Sequence, residues 1–263
     1  MAATLDQIRA SYPRAKEEWI RLHCPYSHLL QPLSMRVALL FVNLGIGANT
    51  VTGLAWLVLV AAIGVMAISD GSRLLFGLGA SLLSVMMVLD NVDGHVARCT
   101  AATSRVGELL DDGLTWFHLA VLPVCLGVVL YLNEPVFSGP LSGAEPSPLI
   151  WLALSAARSV SYLLIVVLGR KADQLLGSDE RRLGGCGLFA LAKAVAEFEV
   201  VVLVVVALLD TLWMHHVLYT LFYLAVLSFV VAKTLSEASR MDRAHSSAER
   251  RTLHSPPRLD GRQ

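Results

Sequence analysis

Charge is what this chain is short of. Asp, Glu, Lys and Arg supply 16% of its 263 residues, against 55% apolar residues and a mean hydropathy of +0.61. So few charges cannot solvate the surface of a water-soluble globule, and the composition points to a multi-span membrane protein. The 21 basic residues balance the 21 acidic ones, so net charge singles out no partner, and no nucleic acid is expected. Cysteine is sparse too: Cys24, Cys99, Cys125 and Cys186 stand apart without CxxC spacing, which argues against a zinc site and a disulfide framework. The first thirty residues lack the basic start and apolar core of a cleavable signal peptide, so insertion is expected to rely on internal spans. There is no internal repeat and no low-complexity tract.

What is present is a series of apolar runs. Segments near 49–69, 74–97, 107–132, 149–169, 187–209 and 212–233 each approach the ~20 residues that a bilayer needs. Upstream, residues 5–24 mix charges with Trp19, Ile20 and Leu22 and read as a surface helix at the membrane interface. Residues 32–46 gather Leu33, Val37, Leu40, Phe41 and Leu44 on one face and read as a second interfacial helix, ended by Gly45 and Gly47. Loop charge gives an orientation. Of the 21 Lys and Arg, 18 fall in the N-terminal segment, the 98–106 and 170–185 loops and the C-terminal tail, with Arg73 alone on the other side. Six spans with both termini cytoplasmic reproduce that bias. The 133–148 connector is rich in Pro, Gly and Ser, and His215 and His216 beside Trp213 read as part of an interfacial belt.

The chemistry concentrates between residues 90 and 111. Asp90, Asp93, Gly94 and Ala97 follow one another at i, i+3, i+4 and i+7 and form one helical stripe, with Arg98 directly after it. Gly107 and Asp111 repeat the device on the next helix. Three carboxylates facing one another would repel unless a cation lay between them. A hard divalent cation, Mg2+ or Mn2+, takes carboxylate oxygens and offers its open positions to phosphate, so the expected substrate carries a phosphate or pyrophosphate. Gly94 and Ala97 would let a nucleotide approach the backbone, or serve helix packing. Arg98 would pair with a phosphate, or mark the cytoplasmic side.

This stretch resembles the signature of the CDP-alcohol phosphatidyltransferase family: D-x-x-D-G-x-x-A-R, a spacer of 8 or 9 residues, then G-x-x-x-D-x-x-x-D. Asp90, Asp93, Gly94, Ala97, Arg98, Gly107 and Asp111 match in register, and Thr115 stands where the family has its last Asp. The resemblance implies an all-α, six-transmembrane-helix integral membrane protein with N-terminal interfacial helices over residues 1–48 and the catalytic domain over 49–235. It also implies a homodimer and an active site at the cytoplasmic face. The activity implied is transfer of a phosphatidyl or related phosphoalkyl group from a CDP-linked lipid donor such as CDP-diacylglycerol to an acceptor alcohol, with release of CMP. The segment GIGANTVTG resembles the family's G-x-T-P-N-x-V-T element without its Pro, which would put Asn49 and Thr52 near the nucleotide. Asn49 as an N-cap is the plainer reading.

Thr115 leaves the general base open. A hydroxyl is a poor base, and Glu108, His118 and Asp112 are the substitutes in sequence reach, Asp112 also as a metal ligand. Arg158, with no mate at helical spacing, and Lys193, paired at i, i+4 with Glu197, are candidates for holding the acceptor. The rival expectation is a catalytically impaired homologue that binds metal and nucleotide or lipid in a partner role. A small-solute carrier is a third, disfavoured because its acids should lie at the midplane. The tail over 241–263 is expected to be disordered.

Overall fold

The computed structural model describes residues 3–13, 17–18, 21, 25–133, 149–176, 187–209 and 211–253. Among them are eight helices and no strand: α1 (Leu5–Ala10), α2 (Pro25–Asn43), α3 (Ala48–Ala67), α4 (Arg73–Cys99), α5 (Arg105–Leu132), α6 (Leu149–Leu176), α7 (Gly187–Leu208) and α8 (Leu212–Leu253). Five of them, α3, α4, α5, α6 to Leu168 and α8 to Ser236, are long and apolar enough to cross a membrane. This is the character of a multi-pass membrane protein. A 20-residue helix such as α3 rises ~30 Å, the thickness of a bilayer's hydrocarbon core.

Apolar spacing explains the packing. Val51, Ala55, Leu59, Ala62 and Met66 recur every three or four residues along α3 and are fully buried. The last four meet Phe76, Ala80, Leu83 and Met86 on α4, and Val51 packs with Val92 and Val96. Two glycines bring helices close. A side chain on Gly79 would come within 2.9 Å of the Ala62 carbonyl, and one on Gly127 within 2.8 Å of the Trp151 carbonyl. Small residues at such crossings let membrane helices approach to backbone contact. On the outer faces Leu57, Val60, Leu78 and Leu221 are more than half exposed, as suits side chains turned toward lipid.

Several element ends differ from the sequence expectation. The first helix stops at Ala10, capped by Ser11, because Pro13 cannot continue it with a paired N–H. The second begins earlier, at Pro25, and carries Pro32 internally. It closes at Gly45, whose φ of +71° is natural only to glycine. There the Ile46 N–H bonds the Phe41 carbonyl and the Gly45 N–H bonds that of Val42, the paired closure typical of a helix end. Asn49 is not the cap of α3: Gly47 holds that position and no side chain caps it. At the other end α8 runs to Leu253, well past Arg240, where irregular chain was expected. Ala, Glu, Arg and Leu in that stretch are strong helix formers. The 134–148 connector, Arg181, Arg182, Trp19, Ile20, Leu22 and residues 254–263 lie outside the described residues.

Candidate functional site

Three helix ends converge to make the site. The C-terminal turns of α4, the first turns of α5 and the start of α3 enclose a cleft of about 430 Å³. Ser104 starts α5 by accepting the Gly107 N–H on its Oγ at 2.9 Å, which sets Gly107 in the first turn and Asp111 one turn further on. Trp56 on α3 donates its indole N–H to the Leu110 carbonyl at 3.2 Å and so ties α3 to α5 beside Asp111. The link from α4 turns through Ala101 at φ +51°, with the Ala102 N–H on the Ala97 carbonyl.

Of the four carboxylates expected at a metal, two face this cleft: Asp93 from α4 and Asp111 from α5. They lie close enough for their charges to interact. Asp93 is 6% exposed and its Oδ2 accepts a hydrogen bond from the Thr52 hydroxyl at 2.6 Å. Asp111 is exposed at the edge. Asp90, one turn before Asp93, and Asp112 are half-buried and do not line the cleft. Among the described residues no three His, Cys, Asp or Glu side chains stand together as a ready-made metal cage. Two carboxylates do suit Mg2+, which is commonly held by one or two of them and completes its shell with water and substrate phosphates. The all-oxygen donor set suits a hard cation on the same ground.

Asn49, Thr52, Gly94, Ala97, Gly107 and Glu108 also line the cleft, but two glycines do more than clear it. Helical side chains lean back toward the N-terminus, and Arg98 accordingly folds over Gly94. Its Nη1 is 3.0 Å from where a Gly94 side chain would begin. A side chain on Gly107 would likewise meet Asn49 Oδ1 at 2.7 Å. Arg98 interacts electrostatically with Tyr12, Asp93 and Asp111, and its guanidinium carbon lies 4.8 Å from the centre of the Tyr12 ring. Tyr12 was not foreseen, because nothing local ties it to a motif 86 positions away.

The candidates for a base separate. Glu108 lies on the cleft, whereas Thr115 and His118 do not. Thr115 is exposed, and His118 is buried among the helices, its Nε2 without a hydrogen-bond partner among the described residues.

Arg158 belongs to a second polar cluster. It is 2% exposed and pairs with Glu199 of α7, a mate that helical spacing could not reveal because it comes from another element 41 residues away. His215 Nε2 lies 3.8 Å from Glu199, and the rings of Tyr219 and Tyr223 flank the Arg158 guanidinium at 5.1 and 5.5 Å. His215 and His216 are therefore buried core residues and not an interfacial belt. The spacing of His215, Tyr219 and Tyr223 at i, i+4 and i+8 was the available signal for this polar face. Arg158 does not line the Asp93 cleft. Lys193 falls in α7, with its side chain, like that of Glu197, outside what is described.

A scan of protein-family models finds none that matches this chain, and no curated protein matches it either.

Proposed function

We propose that this protein is a metal-dependent membrane transferase of the CDP-alcohol phosphatidyltransferase type, moving a phosphatidyl or related phosphoalkyl group from a CDP-linked lipid donor to an acceptor alcohol and releasing CMP. The observation that carries this reading is one cleft onto which Asp93 and Asp111 open from neighbouring helices, among Gly94, Ala97 and Gly107; Arg98 does not itself line the cleft, but its charge interacts with both carboxylates. A cation-binding pair, a guanidinium and small residues at the end of apolar helices suit a pyrophosphate whose other end is lipid.

Bound Mg2+ or Mn2+ would screen the pyrophosphate and stabilise charge on the departing CMP. The chain's own residues do the rest. Asp93 and Asp111 hold the cation, with Asp90 and Asp112 one helical turn or less away as outer acids. Thr52, through its hydroxyl, keeps Asp93 in one rotamer. Arg98 balances phosphate charge, and Asn49 stands at the rim where the nucleotide enters. In the reaction an acceptor hydroxyl oxygen bonds to the phosphorus bearing the lipid, the bond from that phosphorus to the CMP oxygen breaks, and the hydroxyl proton passes to Glu108, the one candidate base on the cleft. Arg158, deeper in the bundle and engaged with Glu199, serves the acceptor less directly than the sequence reading has it. The orientation follows the loop charges: α7 is the fifth of six spans, and the site and both termini face the cytoplasm; from their composition α1 and α2 lie at the interface, and from the family resemblance two copies associate.

The second reading, a homologue that binds nucleotide without turnover, draws on Thr115, which supplies no carboxylate and lies off the cleft. Purified protein with Mn2+, CDP-diacylglycerol and a panel of alcohols separates the two. CMP release that Asp93→Asn abolishes supports the enzyme. CDP binding without release supports the second reading, and Thr115→Asp should then restore turnover. Absence of both CDP and metal binding overturns the proposal.

A further inference from the structure

Residues 3–12 are anchored at three points. The Ala3 N–H donates to Asn43 Oδ1 at 2.7 Å on α2. A capping box between Thr4 and Gln7 starts α1 and places Ile8, which is fully buried. After Ser11 closes the helix, the Tyr12 N–H bonds the Arg9 carbonyl at 3.0 Å. That turn lowers the Tyr12 ring onto α4, where it packs against His95 with centroids 5.1 Å apart and lies under the Arg98 guanidinium. Tyr12 and His95 are both buried.

Arg98 is drawn toward Asp93 and Asp111 on one side by charge, which leaves its other side to be closed. Among the described residues its Nε has no hydrogen-bond partner. Gly94 leaves open the space its guanidinium occupies, but open space does not fix a long side chain. The Tyr12 ring face does so from the other side, through the attraction of a cation for an aromatic quadrupole. We propose that Tyr12 is a positioning residue, and that residues 3–12 form a strap which clamps Arg98 over Gly94 so that its charge is aimed at the phosphate subsite beside Asp93 and Asp111. The inference rests on the nucleotide-binding reading above. It makes a segment outside the apolar helices part of the site, and it gives the Gly94–Arg98 spacing a reason: the glycine seats the arginine and the tyrosine closes the seat.

The test uses the full chain in lipid nanodiscs, with CDP as the probe and amide hydrogen exchange of residues 3–12 as a readout independent of nucleotide. Tyr12→Leu should weaken CDP binding roughly 3- to 30-fold, the range that a partly desolvated cation–π contact supplies, while Tyr12→Phe, which keeps the ring but loses the phenol group that also interacts with Arg98, should lose clearly less than the Leu variant. Arg98→Ala should weaken CDP binding, and adding Tyr12→Leu to it should change nothing further. Arg98→Ala should also speed exchange across the strap. Additive effects in the double variant, equal losses in the Phe and Leu variants, or unchanged exchange in Arg98→Ala would each overturn the proposal. Should the wild type bind no CDP, the nucleotide reading fails, and the coupling of the strap to Arg98 then stands or falls on the exchange result.

Discussion

At Asp93 one hydroxyl decides the side chain's orientation. The Thr52 hydrogen bond is short and buried, and on the proposal that Asp93 holds a cation, a partner of this kind typically carries roughly 10–100-fold in metal affinity. Thr52→Val should therefore weaken Mn2+ binding by about that factor while Thr52→Ser retains it, read by the free Mn2+ signal in an electron paramagnetic resonance titration. Glu108→Gln is expected to lower turnover by roughly 10²–10⁴ with CDP affinity unchanged, the signature of a base that acts only on the acceptor proton. Equal activity would remove Glu108 from the mechanism. Ala101 supplies a test of stability. It holds a left-handed conformation that costs an L-residue ~1–2 kcal/mol, so Ala101→Gly should raise the unfolding temperature, net of glycine's greater entropy in the unfolded chain.

Between elements, contact is set by what is missing at the glycines and by one buried ion pair. Gly127 faces the backbone of α6, which cannot move aside as a side chain tip can. Gly127→Ala should cost about 1–3 kcal/mol as an overpacked contact, measured as a lowered midpoint of thermal unfolding in detergent. Gly107→Ala meets the Asn49 side chain and the Ser104 hydroxyl rather than backbone, so it should lower the midpoint less than Gly127→Ala does and perturb CDP binding as well. Arg158 and Glu199 join α6 to α7. Removing one partner strands a buried charge at a cost of about 3–5 kcal/mol, whereas replacing both with apolar residues is often neutral. Glu199→Leu alone should thus destabilise strongly, and Arg158→Met added to it should recover most of the loss. A double variant no more stable than the single one would show that the wider cluster of His215, Tyr219 and Tyr223 needs the guanidinium for itself.

For the whole molecule, orientation is the open quantity that loop charge addresses. Reporters fused after residue 263 and inserted in the 134–148 connector are expected on opposite sides of the membrane, with the first in the cytoplasm; the same side for both would break the six-span topology. The apolar runs determined, without any coordinates, that the chain folds as long helices, and they placed the starts of α3 to α8 within about two residues but not the far ends of α6 and α8, because burying backbone polar groups in lipid leaves a helix almost no alternative. Asp93, Gly94, Gly107 and Asp111 were likewise legible, since local spacing puts them at neighbouring helix ends. Tertiary structure decided the remainder. It divided Asp90, Asp93, Asp111 and Asp112 into two residues that face a cleft and two that do not, brought Tyr12 to Arg98, and supplied Glu199 as the mate of Arg158. Each of these depends on the rotation and depth of one helix against another, which is set by packing at residues such as Gly79 and Gly127 and which no period within a single helix encodes.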